Sequence, residues 1–426
     1  MVIREYSKVE LVFSSSESEA VKIALVNLRR DLIRTLDCSV TAGGIIRILV
    51  GTVGNLPELD EKADISKLRA EDGTYRKEAF LIQEKDGELL IAGTDRRGTI
   101  YGIYDFCEWL GVSPWYFFAD VPVRRRSEAV IENGYCKVDY PSVEYRGIFI
   151  NDEEELEHWV WRYMGETTIG VKTYEKIFEL LLRLKLNYIW PAMHVNSFNL
   201  KQENGALANR MGIVVGTSHC DMLMRSNNRE WKPWLAKKGY TDVEYDFSIP
   251  GRNREILKEY WRESVEQNRD FEVSYTVGMR GIHDSGFETK SLEGLTGEKL
   301  LKAKIELLES VMAAQQEILS ETLDTEPMKT FVPYKEVLEL YDNGLKVTED
   351  LTLIWTNDNY GYVRRYPGEK EKARKSGNGI YYHNSYWAPP GASYLFICSI
   401  PMSHTRNELL KAYKEGIQKV WVTNFG

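Results

Sequence analysis

The sequence is poor in the features that announce several common chemistries. Its five cysteines, Cys38, Cys107, Cys136, Cys220 and Cys398, are odd in number and widely spaced, with no CxxC pair and no zinc-type spacing. That argues against a disulfide framework and leaves reduced thiols as the expectation. Positive charge is in deficit: 55 Lys and Arg against 64 Asp and Glu give a formal net charge of −9. A nucleic-acid partner is not expected, because phosphate binding needs a basic face. An acidic substrate stays open, since it needs only local cations. Met1–Glu10 has no apolar h-region and no segment approaches a membrane-spanning length. A cytoplasmic protein without a membrane partner is therefore expected. Glycines do not gather into a phosphate loop, no serine stands in a GxSxG elbow, and the histidines form neither HxH nor HExxH. No short repeat or low-complexity tract is visible.

Apolar and aromatic residues are plentiful. Of 426 residues, 43% are hydrophobic and 12% aromatic, with 11 Trp and 25 Tyr. This supports a large core. Such rings also line clefts where the apolar face of a pyranose stacks, although for any single ring a core position is an equal reading. Residues 1–140 read as a small α/β accessory domain: a helix over Ala20–Leu36, strands at Ile45–Val50, Ala79–Gln83 and Leu89–Gly93, and a helix from Thr99 to Leu110. After Pro141 strand and helix signals alternate. Eight short strands are predicted: Arg146–Asn151, Asn187–Ala192, Gly212–His219, Val273–Arg280, Thr330–Glu336, Leu351–Asn359, Gly379–Tyr386 and Lys419–Gly426. The clearest helices between them are Tyr174–Lys185, Arg252–Asn268, Gly297–Glu321, Tyr334–Leu345 and Glu408–Glu415. The fold class is therefore α/β, with residues 141–426 as a TIM-type (β/α)8 barrel that ends on its eighth strand and lacks its last helix.

In such a barrel the chemistry sits where strands end. The predicted ends run into Asn151-Asp152-Glu153, His219, Arg280-Gly-Ile-His283-Asp284, Lys335-Glu336, Asn357-Asp358-Asn359, His383-Asn384-Ser-Tyr386 and Asn424. Any one is an ordinary polar loop start; seven facing one mouth suggest a site. The mouth offers carboxylates (Asp152, Asp284, Glu336) and two cations (Arg280, Lys335). Glycosidic hydrolysis needs two carboxyl groups, one as proton donor and one to activate water or attack. The cations could hold a substrate carboxylate or could simply neutralise the acids. His219 and His383 suit sugar hydroxyls, or are satisfied core histidines. His219, His283 and His383 could converge on a metal, but no ligand spacing supports this, and no metal or cofactor is expected.

At these strand ends the sequence resembles glycoside hydrolase family 115. The resemblance runs collinearly through Arg146-Gly-Ile-Phe-Ile-Asn-Asp-Glu153, Phe178–Met193, Gly212–His219, Thr276–Gly281, Tyr334-Lys-Glu336, Thr352–Gly361 with Arg364-Arg365, Gly379–His383 and Val420–Asn424. Asp95–Asp105 also resembles the small domain that precedes such barrels. The resemblance implies an inverting hydrolase that removes α-1,2-linked glucuronic acid, or its 4-O-methyl ether, from xylan. Its partner would be glucuronoxylan or an aldouronic oligosaccharide, and a homodimer is expected where a C-terminal region is present. Asp284 and Glu336 match the best catalytic candidates, with Asp152 contacting the sugar or positioning water. Asn151, Arg280, Lys335, His219, Asn359, His383, Tyr386 and Asn424 match binding positions, and Glu108 of the small domain is a further candidate. There are departures. The family's Gly-Asp-Gly-Asp is Gly281-Ile282-His283-Asp284 here, its His-Glu-Pro is His219-Cys220-Asp221, and its Asp-Asp-Asn is Asn357-Asp358-Asn359. These bear on substrate more than on reaction class. Two alternatives remain: a non-catalytic carbohydrate-binding barrel, truncated or disabled, and another barrel glycosidase such as a hexosaminidase using the adjacent Asp152-Glu153.

Overall fold

The computed structural model describes residues 1–150, 155–384 and 400–424. The chain divides into two compact units. The first comprises Met1–Ser142, Glu175–Asn187 and Arg210–Gly212, and the second Val143–Tyr174, Tyr188–Asn209 and Ile213–Gly426. Residues 175–187 and 210–212 thus cluster with the first unit, although the sequence reading placed them in the barrel.

The first unit is built on a six-stranded sheet. Its spatial order is Ser39–Val40, Lys8–Val12, Ile46–Thr52, Glu88–Gly93, Phe80–Lys85 and Cys136–Asp139, and Phe80–Lys85 runs against its neighbours. Two of its helices are capped by side chains. Ser18 accepts from the Val21 amide at the start of Glu19–Leu36. Asp95 accepts from the Arg97 and Gly98 amides at the start of Arg96–Leu110. A buried ion network ties Glu175–Asn187 into this unit. Arg183 donates to Asp31 at 2.7 Å and to Glu179 at 2.9 Å, and Arg30 reaches Glu179 at 2.6 Å. These carboxylates need their cations, because a charge taken out of water is costly unless paired.

The second unit carries eight parallel strands. In chain order they are Tyr145–Phe149, Tyr188–Trp190, Val214–Val215, Ser274–Thr276, Met328–Phe331, Leu351–Thr356, Asn378–His383 and Ile417–Asn424. Consecutive strands pair, and the eighth returns to the first. A parallel bridge between Val215 and Val273 links the third strand to the fourth and completes the ring. All eight expected strands are present, several of them shorter than predicted. Helices fill the connections, among them Val171–Arg183, Gln202–Met211, Arg252–Asn268, Gly297–Thr322, Glu336–Asp342 and Met402–Lys414; Gln202–Met211 was not among those predicted. No helix among the described residues is long and apolar enough to cross a membrane.

The barrel interior is a packed core. Phe149, Tyr188, Trp190, Val214, Val332, Ile354, Tyr381, Val420 and Val422 form one buried cluster. Its polar ring atoms are satisfied internally: Trp190 Nε1 donates to the Tyr188 hydroxyl at 3.0 Å, which meets Ser274 Oγ at 2.5 Å. The first strand can pack this tightly only because Gly147 has no side chain. A Cβ there would overlap the Tyr188 carbonyl.

Arg183 and Asp31 are almost fully buried. Asp31→Ala, which strips one partner from a buried pair, is expected to lower unfolding free energy by about 3–5 kcal/mol, read by chemical denaturation.

Candidate active site

The fourth and fifth strands deliver the two acids by different routes. Past Ser274–Thr276 the backbone passes through Gly278, whose φ of 126° suits glycine. Gln315 clamps this residue from both sides, accepting from the Gly278 amide at 2.8 Å and donating to its carbonyl at 2.9 Å. The chain then turns through Ile282–Asp284, with His283 at φ 54° and Asp284 at φ 60°. The left-handed region is unfavourable for these residues and needs outside support. Asn227 provides it: its side chain donates to the Gly281 carbonyl at 3.2 Å and accepts from the His283 amide at 3.2 Å. Past the fifth strand, Lys335 also has positive φ, 52°, and Glu336 begins the helix Glu336–Asp342.

Arg280 brings the two acids together. Its guanidinium is buried. Nε and Nη2 each donate to Glu336 at 2.9 Å, and Nη1 is paired with Asp284. Lys335 Nζ holds the other Asp284 oxygen at 2.7 Å. The four formal charges cancel. The two cations therefore bind the acids directly, one of the roles read for them from the sequence.

Burial would push the Glu336 carboxyl up. The Arg280 hydrogen bonds and charge, together with the Phe287 amide at 3.2 Å, outweigh it and hold the group below the usual glutamate range. His219 Nε2 meets Asp284 Oδ1 at 3.0 Å. Burial, then the charges of Arg280 and Lys335, keep His219 well below the ordinary histidine value. Its Nδ1 is buried without a hydrogen-bond partner. A proton on Nε2 facing Asp284 is thus the favoured arrangement, since an orphaned acceptor is easier to tolerate than an orphaned donor. His383 is pushed down to about 3 by burial, with His219 and Lys335 adding to it. Its Nδ1 meets Asn357 Oδ1 at 2.9 Å, and the same oxygen accepts from the His383 amide at 2.8 Å.

Aromatic rings form the floor. Tyr334 packs edge-on against His219 at 4.7 Å, and Tyr381 lies 4.2 Å from His383 and 5.1 Å from Trp190, between ring centroids. Asn424 at the end of the eighth strand donates to the Tyr381 hydroxyl at 2.8 Å. Of the sequence candidates, Asp284, Glu336, Arg280, Lys335, His219, His383 and Asn424 therefore join one connected set. Asn359 does not: it is exposed in the turn after the sixth strand. Glu108 belongs to the first unit and is exposed on the last turn of its helix. Asn151, Asp152 and Tyr386 lie outside the described residues.

Sequence reasoning missed Asn227, Gln315, Asn357, Tyr334 and Cys220 as parts of this assembly. Asn357 and Tyr334 stood inside the strand-end motifs and could have been chosen. Asn227 and Gln315 gave no signal, because they act from a distant loop and from the helix Gly297–Thr322. Cys220 Sγ lies 3.3 Å from Asp284 Oδ1, and burial pushes its thiol up to about 12. The convergence of His219, His283 and His383 considered above is not what the structure offers a metal. Among the described residues the potential ligand trio is His219, Cys220 and Asp284.

Both buried imidazoles are expected to remain neutral between pH 5 and 8. Side-chain nitrogen NMR, assigned with His219→Gln and His383→Gln, would show two histidines that do not titrate there; titration of either with a midpoint near 6.5 would contradict this electrostatic account.

No curated protein sequence matches the chain significantly. Among solved structures, a family GH115 4-O-methyl-α-glucuronidase, BtGH115A, described as specific for decorated arabinogalactans, superposes with a TM-score of 0.88 at 35% identity. The match covers 100% of this chain and 55% of that one, so the chain spans about half the length of this relative. A β-N-acetylhexosaminidase from Bacteroides fragilis (TM-score 0.56, 13% identity, covering 100% of this chain and 82% of that one) shares the fold. So does a GH138 enzyme targeting pectin rhamnogalacturonan II (TM-score 0.52, 13% identity, covering 97% of this chain and 46% of that one). The sequence signature of glycosyl hydrolase family 115 matches residues 138–426, the whole stretch that carries the barrel and its paired acids, and the chain belongs to that family of glycoside hydrolases.

Proposed function

We propose that this protein removes glucuronic acid, or its 4-O-methyl ether, linked α-1,2 to xylan or xylo-oligosaccharides, by a single displacement that inverts the anomeric centre. The observation that carries the reading is one buried guanidinium shared between two carboxylates, Asp284 and Glu336, with Lys335 on the outer face of Asp284. A uronate brings its own carboxylate. It can take over the half-exposed Lys335 from Asp284, so that binding of an acidic sugar and release of a catalytic acid become one event.

The two acids then differ in what they can do. Glu336, held ionised by the Arg280 fork, is suited to accept a proton from water. Asp284, once Lys335 turns to the substrate, is suited to donate one to the leaving oxygen, and Asp152 is the further candidate for contacting the sugar or orienting water. The neutral imidazoles of His219 and His383 offer hydrogen bonds to hydroxyls without adding charge. A second reading has the same chemistry on another polymer: the 35% identical relative is described as specific for decorated arabinogalactans.

The test is release of glucuronate from aldouronic oligosaccharides and from glucuronate-capped arabinogalactan, with the product anomer followed by NMR. Turnover of the first with inversion supports the proposal. Turnover of only the second moves the substrate, and binding without turnover of either points to a carbohydrate-binding barrel. Glu336→Gln and Asp284→Asn are each expected to lower kcat by about 10²–10⁴-fold. Arg280→Gln removes the fork and lets burial win. Glu336 then needs a higher pH to ionise, so the acid limb of kcat/KM should move upward in pH; an unmoved limb would separate Glu336 from the base role.

A further inference from the structure

We propose that His219, Cys220 and Asp284 form a binding site for a thiophilic divalent cation of the zinc type, and that such a cation blocks the active site. The blocking part rests on the hydrolase reading above; the binding part does not. Cys220 follows His219 past the end of the third strand, and its sulfur turns toward the candidate catalytic carboxylate. His219 Nε2 lies 3.0 Å and Cys220 Sγ 3.3 Å from the same oxygen, Asp284 Oδ1. One donor atom from each of the three residues falls within 4.8 Å of the other two. Bonds of about 2.0–2.3 Å to tetrahedral zinc set its ligand atoms roughly 3.3–3.6 Å apart, so the two measured separations are already near those of a coordination sphere. Nitrogen, sulfur and a single oxygen select zinc or cobalt over magnesium and calcium, which want oxygen-rich sites. Three protein ligands leave a fourth position for water or another ligand.

The backbone of the trio is set before any ion arrives. Asn227 Nδ2 donates both to the Cys220 carbonyl at 3.1 Å and to the Gly281 carbonyl at 3.2 Å, joining the two loops that supply the ligands. Two cations on Asp284 oppose an incoming ion, but both can yield. Arg280 keeps its two bonds to Glu336 when Nη1 lets go. Lys335 Nζ sits on a half-exposed side chain. Oδ1 also gains by the exchange, since it now takes Arg280, His219 and Cys220 together. On binding, the thiol proton leaves to solvent and the imidazole proton moves to Nδ1, which becomes a buried donor without a partner, a cost that the new bonds to the metal must exceed. With Asp284 held by metal, it can neither donate a proton nor accept one.

The test uses the full chain without substrate. Co²⁺ is expected to give a near-ultraviolet thiolate-to-cobalt charge-transfer band at one equivalent. Zn²⁺ should bleach the band, and Mg²⁺ or Ca²⁺ in excess should leave it. Cys220→Ser should abolish it, Asp284→Asn should weaken it, and Cys136→Ser, at the exposed thiol of the first unit, should keep it. Circular dichroism confirms that each variant is folded. No band from the folded wild type, or an equal band from Cys220→Ser, overturns the site. Stoichiometric Zn²⁺ is further expected to lower glucuronate release at least tenfold, and unchanged turnover with the site filled overturns the blocking. A cobalt band from a protein with no turnover would uphold the site while removing the hydrolase reading.

Discussion

The assembly at the barrel mouth depends on one buried guanidinium that cannot be satisfied by a single carboxylate. Arg280 offers donors on two edges, and the fold places an acid on each: Glu336 along Nε and Nη2, Asp284 against Nη1. A charged group in this setting is tolerable only when its partners are in place. The pairing also accounts for the strain nearby. His283, Asp284 and Lys335 all adopt positive φ, a strain that isolated loops would relax. Here relaxation would withdraw Asp284 or Lys335 from the ion network, so the strained backbone and the paired charges hold each other in place.

Burial is the main reason the histidines are neutral, and the network adds to it, through Arg280 and Lys335 at His219 and through Lys335 at His383. A further positive charge there would be desolvated first, and repelled as well. His219 and His383 respond by staying uncharged. Asn357 fixes His383 by bonding both its ring and its amide, so the imidazole is oriented as a neutral hydrogen-bonding group. The mouth thus combines paired acids, neutral polar rings and aromatic side chains.

Much of this was legible in the sequence, and the limits are instructive. The eight strands could be located because each is a short run of β-branched and aromatic residues between polar stretches. Their lengths could not be read, since a residue that leaves the ladder after two or three steps carries the same side chains as one that stays. The third strand is only Val214–Val215, although the apolar run suggested eight residues. Arg280, Asp284, Lys335 and Glu336 were legible because strand-end chemistry follows from barrel geometry. Asn227 and Gln315 were not, because nothing local distinguishes an amide that clamps a distant loop from one facing water. Asn359 illustrates the converse: three polar residues follow the sixth strand, and the one turned inward is Asn357.

Short strands have a consequence for how the site can diversify. His219 and Asp284 stand four and eight residues beyond the last paired residues of their strands, so the sheet does not fix them directly. Their positions come from side-chain clamps, Gln315 on Gly278 and Asn227 on the loops of Cys220 and Gly281. Residues held between such clamps can change identity while the clamped backbone, and the acids on it, stay where they are. Ile282 and His283 occupy that stretch and both face outward. Two of the three departures from the family pattern noted in the sequence lie there and at Cys220, beside the paired carboxylates, and the third lies at Asn357, beside His383. On the function proposed above, these are changes in what the mouth admits, made without moving the paired carboxylates.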